Sequence, residues 1–374
     1  MKQFWIAGLA LWMLGAVGCN QNPEMGAIRP SALTVVAVPV VPAYAGPIVE
    51  LRGTAEEMGA QHALQLDSQI QLLQKNYLNV YMGSGAKRLI ALTAARVFKS
   101  YFPVDHLAEV DALATQEGMD EREAVLAQCF LDLSPMTACS TMTLPASASA
   151  DHVARFARNL DFPALNIADK YSTVFVYHPQ GRYQFVSIGW PGMVGVLSGM
   201  NEHGLCLANM EVSRGVRMPG AMPYTLLYRT VLEKCKTVGE AIELLEKTPR
   251  QTPNNLMLMD AAGDRAVAEI TPEAVTVRRA APDAPLISTN HQRGTDCDSA
   301  GRCRRFDYLH AHGGEEFGHI GVADLEDMLG HVSPGKATLQ SMIFEPTNRV
   351  IYLSTGADAA HGTFYKLDVG SRFK

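Results

Sequence analysis

The stretch Ala138-Cys139-Ser140-Thr141-Met142-Thr143 decides how this chain is read. It marks a change of texture: helical periodicity dominates 48–138, and alternating or β-branched runs dominate the residues after it. It also carries a thiol, followed by Arg158-Asn159-Leu160-Asp161-Phe162 and, much later, by Ser288-Thr289-Asn290-His291. A cysteine attacks as its thiolate, so it needs a base or a lowered pKa. If Cys139 is freed at its amino end, its own α-amine titrates close enough to neutral pH to serve as that base. No histidine partner is then needed, and no His here sits in a recognisable Cys/His motif. The expectation is an N-terminal nucleophile, with a working domain over 139–374.

Arg158 and Asp161 fall on one expected strand, 152–162, where alternation puts them on opposite faces unless the strand ends between them. Asp161 is therefore expected just past the strand end, facing Cys139 and holding its amine, while Arg158 tunes the thiolate. Asn290 follows the apolar run Ala284-Pro285-Leu286-Ile287 and offers an amide donor for an oxyanion. Taken singly, each has a plainer reading: a buried thiol, a surface ion pair and a structural Asn in a turn. The set carries the argument.

Outward from this core, 48–138 reads as a short strand at 49–54 and then helices from Glu56, over 86–100, 106–117 and 122–133. After Cys139 come strands at 172–177, 183–188, 193–199 and 205–210, then helices over 224–235 and 238–247. A meander comes next, with strands at 256–260, 265–270 and 274–278, then a helix over 323–329 and a closing hairpin at 341–354. This order predicts an α+β fold of two antiparallel sheets with helices on their outer faces. Met193, Met200, Met210, Met218 and Met222 are either core filler or the walls of an adaptable pocket.

The first residues read as an export signal. Phe4 to Val17 is apolar but shorter than a membrane span, and it closes on Leu14-Gly15-Ala16-Val17-Gly18-Cys19. Small residues before a cysteine resemble the lipobox of bacterial lipoproteins. Residues 1–19 are thus expected to be a lipoprotein-type signal with Cys19 lipidated, and 20–47, with five prolines, a tether. The chain is expected at the periplasm or cell envelope, held to the membrane by that lipid. A composition of 47% hydrophobic and 19% charged residues suits a globular chain, and a net charge of -6 gives no reason to expect a nucleic-acid partner. Cys297 and Cys303 read equally as a local disulfide or as two loop thiols. Two such ligands make a poor zinc site, so neither metal nor cofactor is expected.

The motifs together resemble the N-terminal-nucleophile hydrolases of the bile-salt hydrolase, penicillin V acylase and acid ceramidase type. Within them the chain looks most like the acyl-coenzyme A:6-aminopenicillanate acyltransferase family. The resemblance rests on Cys139-Ser140-Thr141 with Arg158-Asn159-Leu160-Asp161, on Gly199-Met200-Asn201-Glu202-His203-Gly204-Leu205, and on Thr289-Asn290-His291. Leu51-Arg52-Gly53-Thr54 with Glu57-Met58-Gly59-Ala60-Gln61-His62 adds a match to that family's pro-region. It implies a four-layer αββα fold after a mostly helical pro-segment at 48–138, and self-cleavage between Ala138 and Cys139. It also implies roles for Cys139, Arg158, Asp161 and Asn290 in cutting or transferring the acyl group of a small N-acyl amide. Glu211, or less favourably Asn209, takes a further polar position, and Arg305 matches an arginine near the site. The competing readings are a dipeptidase-like member of the same superfamily and a non-catalytic envelope lipoprotein that keeps the fold as a binding module.

Overall fold

Two sheets stand face to face at the centre of the computed structural model, which describes residues 41–134, 138–212, 220–294 and 302–373. Cys19, the signal, the tether as far as residue 40, Met218 and Cys297 lie outside the described residues. The first sheet runs β1 (Ile48–Gly53), β4 (Thr173–Pro179), β5 (Phe185–Gly189), β6 (Ser198–Asn201), β7 (Cys206–Glu211), β8 (Asn254–Met259), β9 (Arg265–Ile270) and β10 (Val275–Arg278). The second runs β11 (Leu286–Ser288), β2 (Ala138–Leu144), β3 (Arg155–Asp161), β12 (Thr338–Glu345), β13 (Val350–Thr355) and β14 (Tyr365–Asp368). Apolar side chains fill much of the gap between them, with Phe156, Leu160 and Phe344 sharing one core with Val186, Met200 and Met257.

Helices close both outer faces. Over the first sheet lie α1 (Ala55–Leu73), a π-helical turn at Gln74–Leu78, α2 (Asn79–Met82), α3 (Gly85–Lys99), α4 (Val104–Glu117), α5 (Glu121–Leu133), α6 (Tyr224–Lys234) and α7 (Val238–Lys247). Over the second lie α8 (Arg304–Glu315) and α9 (Val322–His331), sealed by Met142, Ala157, Ile343, Leu309, Leu325 and Leu329. The layer order is αββα, as the resemblance implies. Local signals set the helix ends. Thr54 and Glu57 form a capping box that starts α1, and Gly118 ends α4 in the left-handed region at φ 62°.

Five elements depart from the sequence reading. The first sheet is not wholly antiparallel, because β1 pairs parallel to β4 at its edge. Parallel neighbours need a long crossover, and the chain between β1 and β4 supplies one through the helices, β2 and β3. The strand expected at 193–199 is confined to β6, because the chain before it bonds elsewhere. Val194 N–H donates to Gln128 Oε1 at 2.8 Å, and Val196 N–H to the Thr225 carbonyl at 2.9 Å. Lastly, α8, β11 and β14 have no counterpart in the sequence reading. The end of the tether is pinned as well, since Tyr44 N–H donates to the Lys366 carbonyl at 2.9 Å. No helix among the described residues is long and apolar enough to cross a membrane.

Candidate active site

The strand β2 aims its side chains alternately. Thr141 Oγ1 lies 3.3 Å from Met210 Sδ and Thr143 Oγ1 lies 3.9 Å from Met257 Sδ, so this face looks into the gap between the sheets. Cys139 shares that face and is fully buried. Across the β2–β3 ladder Cys139 sits opposite Leu160 and Thr141 opposite Arg158, which brings the Arg158 side chain into the same gap. Its Nη2 donates to Cys139 Sγ at 3.7 Å, and its Nη1 donates to the carbonyls of Asn209 at 2.8 Å and Leu197 at 3.5 Å. Burial pulls the Arg158 pKa down, opposed by the fields of Cys139, Asp161 and Tyr224. A guanidinium held by backbone carbonyls is a fixed positive charge beside a thiol.

Asp161 departs from expectation. It is the last residue of β3, not one beyond it, and it pairs with Ala138 on one side and Thr338 on the other. With Asn159 it points to the outer face, so it does not touch the thiol. Its Oδ1 accepts from Thr338 Oγ1 at 2.7 Å, and its Oδ2 lies 3.8 Å from Arg305 Nη1. Burial pushes its pKa up to about 6, outweighing the Thr338 hydrogen bond and the Arg305 and Arg158 charges. It is linked to Cys139 through the backbone, through Arg305 and through its field on Arg158.

Arg305, in the first turn of α8, is the hub. Its Nη1 donates to the Cys139 carbonyl and, at 3.1 Å, to Ser140 Oγ, while Nη2 donates to Asn290 Oδ1 at 3.0 Å. Asn290 Oδ1 also accepts the Cys139 N–H at 2.9 Å, and its Nδ2 donates to the Glu211 carbonyl at 2.8 Å. Two donors on one side and a carbonyl on the other fix the orientation of this amide. The expected oxyanion donor is therefore engaged with Glu211 in this uncut chain, and its oxygen faces the Cys139 nitrogen. Glu211 is fully buried at the end of β7 and joins the site through its backbone.

An apolar cleft lies near this constellation, with none of Cys139, Arg158, Asp161, Asn290 and Arg305 in its wall. It is walled by Ile70, Tyr77, Phe130, Trp190 and Met193, together with Phe162, next to Asp161 in sequence, and Leu197, whose carbonyl accepts from Arg158. Its wall includes the π-helical turn, an irregularity that often marks functional sites. Met193 thus lines the cleft, whereas Met200 and Met210 are core and Met222 packs on the helical side. Cys303 is a buried, unbridged thiol 3.5 Å from Thr289 Oγ1. Among the described residues no group of His, Cys, Asp and Glu is arranged to hold a metal. Thr338 and Ser140 escaped the sequence reading: one is a strand residue far along the chain, the other a plain neighbour of the thiol.

No curated protein sequence matches the chain. Solved structures similar to it include a Caenorhabditis elegans ortholog of N-acylethanolamine-hydrolyzing acid amidase, at 18% identity over 61% of this chain and 100% of that one, TM-score 0.48. A mutant of conjugated bile acid hydrolase from Clostridium perfringens aligns at 16% identity over 62% and 93%, TM-score 0.42. Penicillin V acylase from Agrobacterium tumefaciens aligns at 16% over 62% and 86%, TM-score 0.40. Likeness at this level says nothing of substrate. The sequence profile of one family matches residues 149–360, a span that holds Arg158, Asp161, Glu211, Asn290 and Arg305 and begins beyond Cys139. Since that span is more than half of the chain, the protein belongs to the acyl-coenzyme A:6-aminopenicillanic acid acyl-transferase family.

Proposed function

We propose that the chain is a self-processing cysteine amidohydrolase or acyltransferase that takes the acyl group of an N-acyl amide onto Cys139 as a thioester. The observation that carries this reading is the Arg158 guanidinium on Cys139 Sγ, with Asn290 on the Cys139 nitrogen and Arg305 on its carbonyl. In the first turnover the thiol attacks the Ala138 carbonyl, the acyl link moves from nitrogen to sulfur, and water cuts the thioester. That frees the Cys139 α-amine beside Asn290 Oδ1, which orients it. The amine then takes the thiol proton, the thiolate attacks the substrate carbonyl, and the departing amine receives the proton back. Water or a second amine resolves the thioester. The apolar cleft, with Leu197 and Phe162 in its wall, suits an apolar acyl group. On the sequence signal at 1–19 alone, we further take the enzyme to be exported and tethered by a lipid on Cys19.

Intact mass spectrometry of the purified protein beside Cys139→Ala tests the scheme. Two fragments meeting at Ala138/Cys139 are expected from wild type, and one uncut chain from the variant. One uncut chain from both would leave the thiol without its amine base and end the reading.

A further inference from the structure

Asn255 is a polar residue that β8 turns toward the nucleophile's strand. It pairs with Met210 across the ladder, and Met210 Sδ lies 3.3 Å from Thr141 Oγ1 on β2. Partners across a ladder share a face, so Asn255 points into the gap between the sheets, where it is fully buried. Its Nδ2 donates to the Thr289 carbonyl and to the His291 carbonyl, both at 2.9 Å, with Asn290 between them. An amide nitrogen has two hydrogens, and both are used.

The oxygen of the same amide, Asn255 Oδ1, is buried without a hydrogen-bond partner. An orphaned oxygen costs stability, and a leucine of similar shape would carry no such cost. Packing therefore does not account for this side chain, whereas its two donors do. They tie the turn that follows β11, in the second sheet, to a strand of the first. The flanks of that turn are held separately. Glu269, opposite Asn255 on β9, accepts the N–H of Arg293 at 2.9 Å and of Gly294 at 2.6 Å. On the other flank Arg278 Nη2 donates to the Ile287 carbonyl at 2.7 Å. Loss of the Asn255 amide thus frees the turn at Asn290 and leaves both flanks tied.

We propose that Asn255 is a positioning residue for self-cleavage: by clamping the carbonyls on both sides of Asn290, it holds the Asn290 amide against the nitrogen of the bond to be cut. The inference rests on the self-processing reading above. Asn290 Oδ1 accepts the Cys139 N–H at 2.9 Å and Arg305 Nη2 at 3.0 Å, while its Nδ2 donates to the Glu211 carbonyl at 2.8 Å. A side chain that serves three partners at once tolerates little drift in its own backbone. In the cleavage step the bond from Cys139 Sγ to the Ala138 carbonyl carbon forms and the Ala138–Cys139 C–N bond breaks. The thiol proton goes to the departing nitrogen, whose N–H is the one that Asn290 holds. Asn255 acts on these atoms through Asn290.

The test follows the rate of the cut at Ala138/Cys139 in the full-length protein by intact mass spectrometry, a readout that needs no added substrate. Asn255→Leu, which removes the donors, is expected to slow the cut about tenfold or more. Asn255→Asp keeps the shape and separates positioning from packing. A protonated carboxyl can donate its one O–H to a carbonyl, whereas a carboxylate can only accept. The slowing of Asn255→Asp, taken against wild type at the same pH, should therefore be mild at pH 5 and about fivefold greater or more at pH 9. Near-UV circular dichroism at both pH values confirms that the variant is folded. A residue that only fills space gives a slowing that does not change with pH. That result in folded Asn255→Asp, or a cut in Asn255→Leu as fast as in wild type, overturns the positioning role while the self-processing reading stands. A wild type that stays uncut removes that reading, and the role of Asn255 with it.

Discussion

Asp161 is a carboxyl in the wrong surroundings for its charge. It is 3% exposed, its Oδ2 has no hydrogen bond, and the nearest cation is 3.8 Å away, so burial prevails and the group titrates near 6 instead of 3.8. The folded chain thus holds this proton more tightly than the unfolded one. Its contribution favours folding below about pH 4 and is lost as pH rises through about 6, at a cost of roughly 3 kcal/mol above that. Asp161→Asn keeps an acceptor for Thr338 and removes the charge. Urea titrations should therefore show the variant more stable than wild type by about 2–3 kcal/mol at pH 8, with the gain gone at pH 4. At this scale the sequence displayed residue types well. Cys139, Arg158, Asn290 and Arg305 do gather. Which face Asp161 takes, and which end of the Asn290 amide meets Cys139, depend on ladder register and on donors from α8, and neither leaves a mark in local sequence.

The link between α4 and α6 is an element-scale feature that no motif announced. Arg229 on α6 donates through Nη2 to Glu109 on α4 at 2.6 Å and through Nε to Glu233 at 2.7 Å, and Glu233 meets His106 at 3.0 Å. The guanidinium also lies 4.6 Å above the Tyr177 ring. Burial lowers the Arg229 pKa, but its two carboxylates outweigh that and raise it, while Arg229 and His106 hold Glu233 down to about 2 against the upward push of burial. Removing Arg229 takes away the guanidinium that pairs buried Glu109 and leaves Glu233 only His106. Arg229→Ala should lose about 3–5 kcal/mol by urea denaturation, far more than an exposed pair such as Arg122–Asp120 would cost. Helices were legible from their 3.6-residue stripes and caps, and β4, β5 and β7–β10 from alternation and turns. The parallel seat of β1 was not, because a six-residue strand gives no sign of its partner. Nor was α8, whose polar sequence buries only Leu309 and Gly313.

At the scale of the molecule, the residues before Cys139 are part of the body. They supply β1 to the first sheet, Glu109 and His106 to the buried ion network, and Ile70, Tyr77 and Phe130 to the cleft. A cut at Ala138/Cys139 should therefore leave two chains that co-elute in size-exclusion chromatography and separate only in denaturant. Elution of the larger piece alone would contradict this account of the interface. The pairing of β1 with β4 has one more consequence. Without β1, the run Thr173-Val174-Phe175-Val176-Tyr177-His178-Pro179 would present a bare, apolar sheet edge, the kind of template on which chains stick to one another. By covering that edge, the strand before Cys139 acts as a built-in guard against aggregation of the chain.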